Sequence, residues 1–177
     1  MNRGAPGTER FVRASIDEAQ LGALASRLAP AAREGGLIHL AGDLGVGKTT
    51  FARALLQALG VGERIKSPTY SLIESYRVGD LDIHHLDLYR IADVGELEWL
   101  GLGDLWGTGA LVLIEWPERG NGHLPPPDLA IELQHAGNER TLTARARSER
   151  GRELLSLWQV ASESSGARAI GQLGAIF

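Results

Sequence analysis

The segment GDLGVGKT, from Gly42 to Thr49, constrains this chain more than any other stretch of its sequence. It satisfies the pattern G-x-x-x-x-G-K-[ST], in which glycines let backbone N–H groups crowd around a phosphate without a Cβ in the way. The apolar run at 36–42 predicts a buried strand before it, and the segment at 48–60 predicts an amphipathic helix that stops at Gly60. A strand, this loop and a helix N-terminus together predict a phosphate-binding site.

The residue types of this loop also predict how a nucleoside triphosphate and Mg²⁺ would be held. Lys48 can reach the β- and γ-phosphates, and the hydroxyl of Thr49 is an oxygen ligand for Mg²⁺. The chain has two lysines against sixteen arginines, so a lysine at this position is not background. The predicted phosphate-loop contacts are Gly42, Asp43, Leu44, Gly45, Val46, Gly47, Lys48, Thr49 and Thr50.

A phosphate loop needs a carboxylate partner, and Glu115 is the candidate. It ends the most continuously apolar strand of the sequence, at 110–117, which predicts a place in a sheet covered on both faces. An acid there would hold or orient the magnesium and its water. The alternative is a strand-end charge that points into solvent. Trp116, taken alone, indicates packing rather than chemistry.

The heptapeptide HHLDLYR at 84–90 suggests metal binding or acid–base chemistry at first sight. Adjacent strand residues point to opposite faces, so His84 and His85 cannot readily share one metal. The chain has no cysteine that could complete a zinc site. One face would then carry His85, Asp87 and Tyr89, and Asp87 becomes a candidate for orienting the attacking water. The alternative is a hairpin aspartate that bonds to backbone.

The rest of the sequence predicts a single α/β domain with a mixed sheet. The pairs Gly79-Asp80 and 137–138 are typical of antiparallel hairpins, within 66–90 and 128–147. A helix is predicted to start at Ser15, capped by the segment SIDE, and to be disrupted at Pro30.

Further predictions concern the later part of the chain and its division. Residues 93–106 are predicted to be helical at first and then broken by two glycines, and a closing helix is predicted to begin near Glu149. We expect a flexible arm at 1–10, one domain at 11–163 and a C-terminal tail at 164–177 that could be disordered.

Composition narrows the class of protein. The formal net charge of −4 argues against a basic binder of nucleic acid or membrane surfaces. The N-terminus lacks the apolar core of a signal peptide, and no stretch of about 18 apolar residues exists to span a bilayer. We therefore expect a cytoplasmic protein that binds neither membrane nor DNA.

The ordered segments GDLGVGKTTF, KSPTYSLIESY, HHLDLYR, ELEWLG and IEWPERG resemble the bacterial ATPase of tRNA threonylcarbamoyladenosine biosynthesis, the TsaE (YjeE) type, over about residues 15–150. The resemblance implies a P-loop NTPase-like three-layer fold and an ATPase that uses ATP and Mg²⁺. It also implies partners of the TsaB and TsaD type, with tRNA reached through their complex. That complex forms the threonylcarbamoyl group on adenosine 37 of tRNAs reading ANN codons. ATP hydrolysis is expected to reset it between turnovers.

Residue by residue, the resemblance implies catalytic roles for Asp87, Glu115 and Lys48, with Thr49 and Glu115 at the metal. Trp116 matches the tryptophan of the EWP motif and is therefore added to the predicted nucleotide contacts. Thr69, in the switch-like segment SPTY, is added as a residue that could sense the γ-phosphate; a proline-ordered turn is its alternative.

Arg140 is the most promising of a late cluster of arginines because it directly follows a turn. It is predicted to contact nucleotide, tRNA or a partner, whereas a solvated face is the simpler interpretation of the cluster.

Three other functions share parts of this pattern. A small GTPase needs a base-reading N-K-x-D element, and the other lysine, Lys66, lies in IKSP instead. A small-molecule P-loop kinase fits the size, but no compact arginine-bearing lid is evident after Glu115. A nucleotide-dependent interaction module without significant turnover shares every motif with the ATPase. Hydrolysis measured with and without partners would separate those two.

Overall fold

In the computed structural model, the chain folds around one mixed sheet of seven strands within its described residues, with helices on both faces. The described residues are 9–62, 65–68, 70–105, 109–120 and 122–171, with side chains described as far as Ser164. The strands, β1 to β7, span Arg10–Ile16, Gly36–Gly42, Ile73–Val78, Leu81–Asp87, Leu111–Glu115, Leu129–Ala136 and Glu139–Ala146. The helices, α1 to α4, span Glu18–Ala32, Lys48–Leu59, Gly95–Trp99 and Glu149–Gly171, with short 3-10 turns at Leu102–Asp104 and Pro117–Gly120.

The strand order is β1-β7-β6-β2-β5-β4-β3. β6, β2, β5 and β4 pair in parallel at the centre, and the hairpins β6–β7 and β3–β4 add antiparallel strands towards both edges. The predicted α/β class, mixed sheet and two hairpins are thereby confirmed. Every residue of β5 is buried, as its unbroken apolar sequence predicts.

Strand alternation divides the core between the two faces of the sheet. On one face Leu111 and Leu113 of β5 pack with apolar residues of α1, α2 and α4. On the other face Val112 and Ile114 pack with Leu97 of α3 and with loop residues. Because both faces of β5 are buried, packing holds the strand in place. The start of the segment that follows it, at Trp116, is positioned by the strand.

The predicted helix at 48–60 is confirmed as α2. It begins directly after Gly47, whose φ of 117° is in the left-handed region, and no side chain caps its N-terminus. It ends at Gly60, where a left-handed glycine N–H bonds back to the last turn. The uncapped first turn leaves backbone N–H groups facing the phosphate loop, which suits an anion.

The predicted start of the first helix is wrong. α1 begins at Glu18 and is capped by Asp17, whose side chain accepts from the N–H of Gln20 while the Gln20 side chain accepts from the N–H of Asp17. Ser15 belongs instead to β1, at a φ of 53°. β1 forms because it pairs with β7, a contact distant in sequence that a local capping pattern does not reveal.

Pro30 does not disrupt α1, which continues to Ala32. The residues after it, Ala31 and Ala32, are buried, and their packing offsets the hydrogen bond that a proline removes. The closing helix is confirmed near its predicted start, but α4 runs on to Gly171, into the segment predicted as a tail. Among the helices that the structure describes, none is long and apolar enough to cross a bilayer.

Candidate active site

A cavity of about 290 Å³ opens where the central parallel strands end and α2 begins. Ligands of open α/β sheets bind at this carboxyl edge because loops and helix N-termini converge there. Most of the predicted site residues meet in this cavity. Its lining is Leu44, Gly45, Gly47, Lys48, Thr49, Thr50, Asp87, Tyr89, Glu115 and Trp116.

The glycines of the loop are required by its shape. A Cβ on Gly42 would lie 2.4 Å from the carbonyl oxygen of Leu133, and one on Gly47 would lie 2.6 Å from Cδ2 of Leu21. Both residues also have left-handed φ values, of 142° and 117°. The loop therefore lies close against β6 and α1, and its left-handed glycines form a cradle at an uncapped helix N-terminus, which fits a phosphate.

Lys48 is folded back on its own loop. Its Nζ donates to the carbonyl oxygens of Gly42, at 2.6 Å, and Asp43, at 2.8 Å, and lies 3.9 Å from the centre of the Trp116 ring. Burial lowers the pKa of Lys48, and nearby carboxylates, Glu115 foremost, partly offset that effect. The ammonium group is thus held at the loop by weak acceptors that phosphate oxygens could replace.

Glu115 of β5 has two hydrogen-bond partners, one on α2 and one on β4. Thr49 Oγ1 donates to Oε2 at 2.8 Å, and Oε1 is 2.8 Å from Nε2 of His85. Glu115 and His85 are each only 1% exposed. A hydroxyl and a carboxylate in contact are oxygen donors that suit Mg²⁺, which takes one or two protein carboxylates and fills its shell with phosphate and water.

Asp87 lies beside Glu115 because β4 and β5 pair in parallel with these two residues in register. Its Oδ1 accepts from the backbone N–H of Tyr89 at 3.0 Å. Burial raises the pKa of Asp87, and that hydrogen bond offsets part of the rise. The backbone bond agrees with the structural alternative, but Asp87 also lines the cavity, where it could accept a hydrogen bond from water.

Two aromatic rings, those of Tyr89 and Trp116, also line the cavity. The ring centroids of Tyr89 and Trp116 are 4.9 Å apart, and the guanidinium of the exposed Arg119 lies 5.6 Å and 5.9 Å from them. Trp116 has a φ of 56°, rare for a bulky residue, and its N–H donates to the carbonyl of Leu40. Strained backbone of this kind concentrates at functional sites.

The remaining predicted contacts differ in their placement. Arg140 supports the loop from behind, since its Nε donates to the carbonyl oxygen of Val46 at 2.7 Å. Thr69 lies outside the described residues, so its role stays a prediction.

The histidine pair is separated as strand alternation predicts. His85 reaches Glu115, whereas Nδ1 of His84 contacts the Ser75 hydroxyl at 2.8 Å on the other face. Within the described residues, no group of three or more His, Cys, Asp and Glu side chains is arranged to hold a metal ion by itself. His85 and Arg119 were not among the predicted site residues. Alternation placed His85 on the same strand face as Asp87 without assigning it a role, while Arg119 carries no local signal beyond following the EWP motif.

The sheet order, the strand–loop–helix unit and the cradle define a P-loop protein of the α/β class. Comparison with known proteins narrows the class. The family described as "Threonylcarbamoyl adenosine biosynthesis protein TsaE" matches residues 15–144. The tRNA threonylcarbamoyladenosine biosynthesis protein TsaE of Haemophilus influenzae is 41% identical over 120 residues, which cover 68% of this chain and 76% of that protein. The corresponding Bacillus subtilis protein is 35% identical over 133 residues, covering 75% and 83%.

A solved structure agrees with these sequence matches. The crystal structure of Bacillus subtilis YdiB superimposes with a TM-score of 0.71 at 28% identity, covering 89% of this chain and 97% of that one. The chain belongs to the TsaE family, whose curated members are named for tRNA threonylcarbamoyladenosine biosynthesis.

Proposed function

We propose that this chain is a Mg²⁺-dependent ATPase required to form the threonylcarbamoyl group on adenosine 37 of tRNAs that read ANN codons. It acts in the cytoplasm with TsaB- and TsaD-type partners, and its hydrolysis of ATP resets their complex between turnovers. The observation that carries the proposal is the contact between Thr49 and Glu115 at the uncapped N-terminus of α2, directly behind a phosphate cradle.

Binding begins at the loop. We expect the uncapped N–H groups at the start of α2 to bind phosphate, and Lys48 to exchange its two carbonyl acceptors for phosphate oxygens of higher charge. Thr49 and Glu115 would hold Mg²⁺, which would supply positive charge to offset the charge of the phosphates.

Asp87 is the residue that activates the attacking water. Burial raises its pKa above the ordinary value of an aspartate, and its place in the cavity beside Glu115 makes its carboxyl group available to water. It accepts a proton from, or orients, the water that attacks the terminal phosphate. Tyr89 and Trp116 shield this edge of the cavity from bulk solvent.

The lining of the cavity also supports slow turnover without partners. Among the described residues that line it, Lys48 is the one cationic side chain. P-loop enzymes that receive an arginine from a partner gain about 10³–10⁵-fold in rate. Partner proteins that contribute positive charge or close the cavity would accelerate hydrolysis in the same way.

The test is multiple-turnover tRNA modification with purified TsaB and TsaD homologues, with and without this chain. We expect product to stop near one equivalent of the complex in its absence and to accumulate when it is present with ATP and Mg²⁺. Equal accumulation without the chain would refute the proposal. Phosphate release measured in parallel separates an ATPase from an interaction module, and transfer of phosphate to a small molecule would indicate a kinase.

A further inference from the structure

We propose that His85 is a positioning residue for Glu115: its Nε2–H holds one carboxylate oxygen so that the other faces Thr49 and the magnesium. This inference rests on the proposed function, because it assigns a task to a buried group within the same site. The proposed mechanism, which uses the phosphate loop, Asp87 and Glu115, assigns no role to His85.

The sheet register brings the two side chains together. Asp87 pairs with Glu115 across β4 and β5, and His85 precedes Asp87 by two residues on the same face. Its imidazole therefore reaches diagonally to Glu115, with Nε2 and Oε1 2.8 Å apart. Both side chains are 1% exposed, so water does not compete for this hydrogen bond.

The hydrogen bonds of the imidazole identify which ring nitrogen is the donor. A carboxylate only accepts hydrogen bonds, so the imidazole must carry a proton on Nε2. Nδ1 of His85 is buried and has no hydrogen-bond partner among the described residues. Within the described residues, the polar contact of the ring is therefore the one to Glu115.

Each oxygen of Glu115 consequently has its own donor, His85 on Oε1 and Thr49 on Oε2. Without the imidazole, Oε1 would be buried without a partner, and the carboxylate could rotate away from Thr49. Donors behind a metal-binding group orient it in this manner, and their loss typically lowers metal affinity or activity by about 10–100-fold.

His84 provides a matched comparison one residue away. It is half-buried on the opposite face, where Nδ1 contacts Ser75 Oγ. A substitution there changes the same residue type in the same strand without touching Glu115.

The experiment compares His85→Leu, which removes the donor but keeps apolar bulk, His85→Gln, whose amide N–H can replace Nε2–H, and His84→Gln. For each we measure kcat and KM for ATP hydrolysis against Mg²⁺ concentration, and ADP affinity with and without Mg²⁺. We expect His85→Leu to lower kcat, or to raise the Mg²⁺ concentration for half-saturation, by about 10–100-fold. Its Mg²⁺-free ADP affinity should equal that of the wild type.

Recovery of most of the loss in His85→Gln and wild-type behaviour in His84→Gln would support the inference. Wild-type Mg²⁺ dependence in His85→Leu, or equal loss in both His85 variants, would overturn it. Should wild-type protein fail to hydrolyse ATP even with TsaB and TsaD homologues present, the proposed function fails; the Mg²⁺ dependence of ADP binding, which needs no turnover, still decides the role of His85.

Histidine-ring NMR on wild-type protein tests the same bond without substitution. We expect the ring proton of His85 on Nε2, with a resonance that shifts when Mg²⁺ and ADP bind. A ring protonated on Nδ1 alone would contradict the assigned hydrogen bond, whatever the variants do.

Discussion

The two ends of the central parallel strands carry cavities of nearly equal size and opposite character. At the carboxyl end, about 290 Å³ is lined by Lys48, Asp87 and Glu115 together with the phosphate loop. At the amino end, about 310 Å³ is lined mainly by glycine, proline and aliphatic side chains, with Asp128 among them.

The two aspartates explain the contrast. Both oxygens of Asp128 are used by the fold, one accepting from the N–H of Leu37 and the other from the hydroxyl of Ser148. Asp87 accepts one backbone hydrogen bond and lies among other buried charges. Cavity size therefore does not identify a functional site, whereas buried charged groups with few hydrogen bonds to the fold point to one.

The largest expected effect is at Lys48. Lys48→Ala should lower ATP hydrolysis by about 100-fold or more, because it removes the cationic side chain that lines the carboxyl-end cavity. The matched control is Lys66→Ala, which alters the other lysine at an exposed position and should retain wild-type hydrolysis. Steady-state phosphate release measures both. Wild-type hydrolysis in Lys48→Ala would contradict the assignment of the carboxyl-end cavity as the site of ATP hydrolysis.

The next prediction compares substitutions of the two aspartates, Asp87 and Asp128. Asp87→Asn should reduce kcat by about 100-fold, the low end for a lost acid–base group, with no loss of stability since it removes a buried charge. Asp128→Ala should instead lower the free energy of unfolding by about 1–3 kcal/mol, because two donors lose their acceptor. Urea denaturation and kcat, measured on both variants, check this. If Asp87→Asn hydrolyses ATP normally, Asp87 is the structural residue that its backbone bond allows.

The smallest effect concerns His39, in the middle of β2 between the two ends. Burial lowers its pKa to about 4, and its Nε2 has no partner among the described residues. The folded state thus favours the neutral ring, so stability is complete above the ordinary pKa of 6.5 and is lost as pH falls from there towards 4.

Allowing for the partial exposure of the ring, we expect a loss of about 1–2 kcal/mol between pH 7 and pH 5. His39→Gln should flatten that part of the profile, while His135→Gln, at an exposed position, should not. Urea denaturation across pH 4.5–7 measures the difference, and parallel profiles for wild type and His39→Gln would refute it.

The sequence predicts the carboxyl end well because its signals are local. A strand, a glycine loop and a helix follow one another within 36–60, and strand ends then bring Asp87 and Glu115 to the same edge. Local pattern places both residues at strand ends, and the parallel pairing of β4 with β5 then brings them together; their roles stay predictions.

The features that sequence did not reveal depend on contacts between distant segments. β1 exists because it pairs with β7, while the capping pattern at Ser15 competes with the one at Asp17. The bond between His85 and Glu115 depends on the register of β4 against β5, which no local pattern specifies.

An amide NMR titration of the protein with ADP and Mg²⁺ tests most directly whether the carboxyl-end cavity binds the nucleotide. We predict the largest shift changes in the loop from Gly42 to Thr50 and at Asp87, Glu115 and Trp116, with little change around Asp128. Largest changes at the amino-end cavity, or none at the loop, would contradict it.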